Sequence, residues 1–359
     1  MYPLIAVTEV LRSLALPGER LDIYYLGPKD AYQSLFTQLN VKVYTLLGAK
    51  IRRYMSIENL FDIPKFFLSL FQAFWKMFVI MPDAVFSKGG SGALPVVFAA
   101  WFFRVPVVVH ESDTVPGLTN KISAKFAKRV ALSFESAMRY FPAKKAAWTG
   151  HPMRRSIVQP GLTRERAKTQ LGFLSDEPLV VVVGGSQGSV RLNEALLAAL
   201  PRIVSVTQVL HQAGVDNSNE TEKLAHAAML GVDGMVAARH QYKVVPYLTD
   251  IGVPFQAADI VLTRAGSGSI FELAAFGRAA ILVPLPESAN DHQKLNAISF
   301  AHAGGGTVVE QQNLVPSILA GQIDDILEDP AKRAQMEERS RAFAKDGGAE
   351  LIAAELLRL

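Results

Sequence analysis

Two stretches of this chain end an apolar run in a cluster of glycine and serine. In "VVVVGGSQGSVRLNEAL" the run stops at Gly184, Gly185, Ser186, Gln187 and Gly188, and a helical pattern follows at once. In "DIVLTRAGSGSIFELAAF" it stops at Arg264, Ala265, Gly266, Ser267, Gly268 and Ser269. A strand that turns directly into a helix through small residues exposes the free N–H groups of the first helical turn, where an anion can approach them closely. Neither stretch has the spacing of a dinucleotide loop or the Lys-Ser/Thr of a Walker loop. A tight turn alone also asks for glycine, so each segment by itself stays open. Two in one half of the chain point to a nucleotide diphosphate. Glu272, placed by the pattern on the first turn of the second helix, suits a ribose diol, and capping would also explain it.

Other polar groups stand at the ends of apolar runs. "PLPESANDHQKLNA" carries Asp291, His292, Gln293 and Asn296 into a helix. Asp291 and His292 are adjacent and point apart on a helix, and no Asp-x-Asp pair occurs, so no metal and no cofactor is expected. "VVVHESDTVPGLTNK" puts His110 and Glu111 at a strand end, where the pair suits a proton acceptor or the orientation of a hydroxyl, or a structural histidine. "FSKGGSGALP" offers Gly89 and Gly90 as a further anion turn. "FFLSLFQAFWKMF", with Lys65, Lys76, Arg52 and Arg53 nearby, suits a lipid interface if its aromatics face solvent, and a core helix if they do not.

The elements that must position these residues alternate. Strands are expected at "DIYYL", "VKVYTL", "DAVFSK", "VPVVVH" and "RVALS", and again, after a polar stretch near residues 150–160, at "PLVVVV", "QVLHQ", "KVVPYL", "DIVLT", "AAILVPL" and "GTVVE". Helical patterns fill the gaps, which is the signature of α/β layers with parallel sheets, here in two similar halves with a cleft between them. The 359 residues suffice for two cores, and the absence of cysteine excludes disulfides and thiolate metal sites. Net charge is +4, divided as +10 over residues 1–160 and −6 over the rest. A basic half suits a polyanion, nucleic acid or an anionic membrane, and no nucleic-acid motif accompanies it. The aromatic stretch falls short of the ~20 residues of a membrane span.

Taken in order, "FSKGG", "HESDTVPGLTNK", "TGHPMR", "GGSQGS", "VVPYLTD", "TRAGSGSIFELAAFGRAAILVPLP" and "DHQKLNA" resemble the MurG family, glycosyltransferase family 28, from Tyr2 to about residue 345. The resemblance implies the glycosyltransferase-B fold, with two Rossmann-like domains. Residues 1–153 would bind acceptor and membrane, residues 154–340 would bind UDP-GlcNAc, and residues 341–359 would form a C-terminal helix. It implies inverting, metal-free transfer of GlcNAc to the C4 hydroxyl of MurNAc in an undecaprenyl-pyrophosphoryl-MurNAc-pentapeptide, by a peripheral protein at the cytoplasmic face of the membrane. It places Arg154, Ser186, Leu248, Ser267, Gly268, Ser269, Glu272 and Gln293 at the donor, and Gly89, Gly90, Asp113 and Asn120 at the acceptor. A related transferase acting on diacylglycerol, or a non-catalytic UDP-sugar-binding membrane protein, is the alternative.

Two departures stand out. Where the family reads His-Glu-Gln-Asn, this chain reads His110, Glu111, Ser112 and Asp113, replacing a donor amide with a carboxylate. The family also has a strand, a Gly-Gly-Thr-Gly-Gly-His turn and its proposed base ahead of the position of Tyr2. Here the helical pattern "YPLIAVTEVLRSL", with Leu4, Val7, Val10, Leu11 and Leu14 on its apolar face, comes first. The expectation is a start placed late or a fragmentary gene, with evolved loss of activity as the alternative. Within the chain, His110, oriented by Glu111, is the remaining candidate base.

Overall fold

The computed structural model describes residues 1–15, 21–29, 33–48, 57–90, 92–154, 157, 161–185, 187–234 and 241–359. The chain divides into two units, Met1–Arg155 with Lys345–Leu359, and Ser156–Ala344. The first unit holds α1 (Tyr2–Leu14), β1 (Tyr24–Gly27), α2 (Gln33–Gln38), β2 (Lys42–Thr45), α3 (Ile57–Ile80), β3 (Val85–Ser87), α4 (Ala93–Phe102), β4 (Val107–Glu111), α5 (Leu118–Phe126), β5 (Arg129–Leu132) and β6 (Ala146–Trp148). All its strand pairings are parallel. β1 pairs with β2, and β3–β4–β5–β6 form a separate sheet in that order, with His110 opposite Ala131. The strands expected from sequence are all present, and β6, three residues without an apolar run, is an addition.

Helix α1 packs on both sheets. Pro3 opens it, where a missing N–H costs nothing. Ile5 packs with Tyr25, Phe36 and Val41 around β1 and β2, whereas Ala6, Val7 and Val10 pack with Val108 and Ala131 of β4 and β5. Each buried valine or isoleucine contributes about 1.5–3 kcal/mol. The apolar face is rotated from the one read in sequence, because Leu14 is 45% exposed.

Helix α3 bears on the core-helix reading of the aromatic stretch. Among the described residues of α3, the line Ser69, Ala73 and Met77 is buried, against α4 and the sheet. Phe67, Phe71, Trp75 and Phe78 are each more than half exposed, so the core-helix reading fails.

The second unit holds α6 (Arg164–Gln170), β7 (Leu179–Val183), α7 (Val190–Ile203), β8 (Gln208–Gln212), α8 (Ser218–Met229), β9 (Tyr242–Val245), α9 (Gly252–Ala257), β10 (Ile260–Thr263), α10 (Ser267–Phe276), β11 (Ala279–Leu282), α11 (His292–His302), β12 (Gly306–Val308), α12 (Pro316–Leu327) and α13 (Pro330–Phe343). Its sheet is parallel throughout, in the order β12-β11-β10-β7-β8-β9. β7, β8, β10 and β11 are buried at every residue, as strands covered by helices on both faces must be. A last helix, α14 (Gly348–Arg358), belongs to the first unit, where Ala349, Ile352 and Ala353 meet α1.

At the amino ends of β7 and β10 a charged cluster ties the second unit together. Asp259 accepts from Arg164 at 2.9 Å, pairs with Lys168 at 2.7 Å and accepts the Leu179 N–H at 2.9 Å. Arg164 reaches on to Glu337 of α13 at 2.7 Å. The glycine turns lie at the opposite, carboxyl ends of the same strands.

Candidate functional site

In an open parallel sheet, ligands bind beyond the carboxyl ends of the strands. β7 and β10 are neighbours, so the two glycine turns that follow them stand side by side. In the first turn Gly188, at φ +76°, runs against the Ala213 carbonyl, which a Cβ would meet at 2.0 Å. Gln212 at the end of β8 donates to the Gly185 carbonyl at 2.7 Å, and the Ser189 side chain caps α7. Ser186 lies outside the described residues.

The second turn is open. A Cβ on Gly266 or Gly268 would meet nothing within 4 Å, and neither has a left-handed backbone. Packing therefore does not require glycine at either position. The bare first turn of α10 presents its amides to whatever occupies the space, which suits an anion. Ser267, Gly268 and Ser269 form this turn. Glu272 lies one turn further into α10, which has no acidic residue in its first turn, so the capping reading of Glu272 is withdrawn.

Arg264 joins the two turns, a role the sequence did not reveal. Its Nη2 donates to Ser189 Oγ at 2.6 Å and Gln311 Oε1 at 2.7 Å, and its Nη1 to the Val283 carbonyl at 3.2 Å. These hydrogen-bond partners are neutral; burial lowers the Arg264 pKa, and the nearby Glu287 carboxylate opposes that shift and offsets part of the cation's charge. Gln293, at the start of α11, accepts the Leu285 N–H at 3.0 Å, which fixes its amide beside the turn after β11. Leu248, beyond β9, packs on the cluster that contains Ala265 and Ile270.

In the first unit the ends of β3 and β4 carry the acceptor candidates. Glu111 is buried, and its carboxylate accepts the N–H groups of Asp113 at 3.0 Å and Gly117 at 3.2 Å and the Asn120 amide at 2.9 Å. Burial raises its pKa, and these hydrogen bonds counter that rise. The carboxylate thus shapes the loop that follows β4, whereas the His110 ring bonds to Ser133 and Ser112. Orientation of His110 by Glu111, expected from their adjacency, is therefore corrected: successive strand residues point to opposite faces. His110 is itself fully buried. Asn120 lies on Gly89, whose Cβ would meet Asn120 Oδ1 at 2.3 Å, and that buried oxygen has no hydrogen-bond partner among the described residues. Gly90, at φ +96°, faces open space. Arg154 belongs to this unit and sits 4.8 Å from the Tyr2 ring.

Comparison with known proteins decides the family. Residues 1–132 match the glycosyltransferase family 28 N-terminal domain, and residues 179–352 match its C-terminal domain. A transferase of Thermoanaerobacter sp. (strain X514), named UDP-N-acetylglucosamine–N-acetylmuramyl-(pentapeptide) pyrophosphoryl-undecaprenol N-acetylglucosamine transferase, is 31% identical over 98% of this chain and 94% of its own length. The chain belongs to glycosyltransferase family 28, among its MurG-type members. A family 28 transferase of Bacillus thuringiensis (strain Al Hakam) with the same activity in its name is 30% identical over 87% of this chain and 85% of its own. The crystal structure of Acinetobacter baumannii MurG superposes with a TM-score of 0.76 at 25% identity, covering all of this chain and 96% of that one. The fold is therefore glycosyltransferase-B, and it is shared at 11% identity and a TM-score of 0.67 by the UDP-GlcNAc 2-epimerase of Neisseria meningitidis, covering 100% of this chain and 96% of that one.

Proposed function

We propose that the chain transfers GlcNAc from UDP-GlcNAc to the C4 hydroxyl of MurNAc in undecaprenyl-pyrophosphoryl-MurNAc-pentapeptide, with inversion. The observation that carries the reading is the pair of adjacent turns after β7 and β10, one of them bare at Gly266 and Gly268, in a chain that matches the named transferases along nearly its whole length. The amides of α10 and the Arg264 guanidinium stabilise the departing diphosphate, which is electrostatic catalysis by groups already in place. Glu272 binds the ribose, Gln293 the sugar, Leu248 the base and Ser186 the phosphates. Gly89, Gly90, Asp113 and Asn120 hold the acceptor. His110, fully buried with its ring nitrogens bonded to Ser133 and Ser112, reaches the acceptor only through Ser112.

The test is transfer of labelled GlcNAc by the purified chain to the lipid-linked acceptor, beside a diacylglycerol acceptor. Product on the first supports the reading. Product on diacylglycerol alone replaces it with the related lipid transferase, and UDP binding without either product replaces it with a UDP-sugar-binding protein.

The same reading places the first unit on the cytoplasmic leaflet of the membrane. No described helix is long and apolar enough to cross a bilayer. The row Phe67, Phe71, Trp75 and Phe78 on α3 continues in Trp101 and Phe102 of α4, with Lys65 exposed beside it. An apolar patch edged by positive charge suits an anionic lipid surface. Replacing Phe71 and Trp75 by serine removes two aromatic anchors, each contributing about 1.5–3 kcal/mol when buried. Binding to phosphatidylglycerol vesicles is expected to fall at least about 10-fold with the melting temperature unchanged; equal sedimentation of parent and variant would rule the patch out.

A further inference from the structure

The buried histidine of the acceptor loop is part of a longer line of polar groups. Ser133 follows β5 and His151 follows β6. His110 Nε2 lies 2.9 Å from Ser133 Oγ, and the same oxygen lies 2.9 Å from His151 Nδ1. On the other side, His110 Nδ1 lies 3.4 Å from Ser112 Oγ. The ends of β4, β5 and β6 thus join in one run, Ser112, His110, Ser133, His151. The last three are all at least nine-tenths buried, while Ser112 is half-buried.

A hydroxyl has one proton to give, so Ser133 donates to one imidazole and accepts from the other. Both rings are neutral at pH 7. Burial, aided by the competing proton site of His151 and by the Lys88 charge, holds His110 well below its ordinary range, and burial with Lys88 and the N-terminus takes His151 to about 3. Each neutral ring carries a single N–H. A buried N–H without a good partner is rarer than an under-used lone pair, so His110 sets its N–H on the short contact at Ser133 and its lone pair on the long contact at Ser112. On this assignment His110 Nε2–H donates to Ser133, Ser133 donates to His151 Nδ1, and the Ser112 hydroxyl donates to His110 Nδ1.

We propose that Ser133 and His151 are positioning residues that fix His110 in its Nε2–H tautomer, and that Ser112, its proton committed to His110, binds the lipid-linked acceptor by accepting a hydrogen bond from a sugar hydroxyl. The identity of the ligand rests on the transferase reading; the tautomers do not. Ser112 stands where the family pattern quoted above has glutamine.

Two measurements on the full chain test it. Long-range nitrogen–proton NMR of histidine-labelled protein is expected to show both rings as neutral Nε2–H species at neutral pH, and Ser133→Ala is expected to release His110 from a single tautomer. An Nδ1–H signature on either ring, or no change in Ser133→Ala, overturns the proposal. In steady-state kinetics, Ser112→Ala, Ser133→Ala and His151→Leu are each expected to raise the KM for the lipid-linked acceptor about 3- to 10-fold, the worth of one neutral hydrogen bond, with the KM for UDP-GlcNAc unmoved. His151→Asn, whose amide oxygen can accept in place of Nδ1, is expected to restore most of what His151→Leu loses. Lower melting temperatures without an acceptor-specific change in KM overturn it. A parent chain without transfer sinks the transferase reading and the Ser112 half with it, and the spectra still decide the tautomer half.

Discussion

Gly268→Asp is expected to leave the chain folded, no less stable, and about 100-fold or more weaker in KM for UDP-GlcNAc. Position 268 lies in the first turn of α10 with ordinary helical backbone, and a Cβ there meets no atom within 4 Å. Aspartate is a somewhat better helix former than glycine, and a carboxylate near a helix N-terminus contributes about 0.3–1 kcal/mol. The same carboxylate occupies the space assigned to the diphosphate and repels it. At about 4 Å and an effective dielectric near 20, two unit charges interact by about 4 kcal/mol, more than a 100-fold loss requires. Steady-state kinetics and thermal melting separate the two effects. A KM within a few-fold of the parent would remove the α10 turn from the donor site.

The second large effect is one of stability, at the other end of the same strands. Asp259→Asn leaves Lys168, which is 4% exposed, and Arg164 facing an uncharged amide. Arg278, which burial first and Arg164 second push down to about 10, also loses an opposing charge. Breaking one side of a buried charge cluster costs about 3–5 kcal/mol, which denaturant unfolding would measure. The pH dependence follows from the carboxyl. Burial alone would raise its pKa, but the Lys168 charge and hydrogen bond, Arg164 and the Leu179 N–H outweigh burial and hold it below the ordinary value. A depressed folded-state pKa gives stability that is complete above the unfolded value and is lost as pH falls through the folded one. The gap between parent and variant is thus expected to be widest near neutrality and to close in acid. A gap independent of pH would mean that Asp259 acts through shape alone.

Much of the site could be read from the sequence because it rests on local rules. The strand, glycine turn and helix around Gly184 and Gly268 are written in consecutive residues, and the structure adds only that their strands are neighbours. Arg264, Gln212 and Ser133 could not be read in this way. Each acts on a loop at least 18 residues away in sequence, and its partner depends on strand order, which places β10 beside β7 and β5 beside β4. Glu111 misled for a different reason. Adjacency in sequence suggested a pair with His110, but the alternation of a strand sends the two side chains apart. Helix α3 carries apolar residues on both faces, so periodicity could not decide which face met the core. Packing chose the slim residues Ser69, Ala73 and Met77 and left the aromatic rings outside.

The separation of β1–β2 from β3–β6 bears on how the first unit opens. Among the described residues no ladder joins the two sheets, so no hydrogen-bonded register couples them. Their coupling runs through helices: α1 sets Ile5 on one side and Ala6, Val7 and Val10 on the other, and α3 meets the β1–β2 segment through Leu46 against Ala73 and Met77, Gln72 at the Leu47 N–H and Lys76 over the Tyr44 ring. A two-stranded ribbon has little stability of its own. Opening of the β1–β2 segment would therefore break no sheet hydrogen bond to β3–β6 and would cost the side-chain packing of Ile5, Leu26 and Leu46 instead.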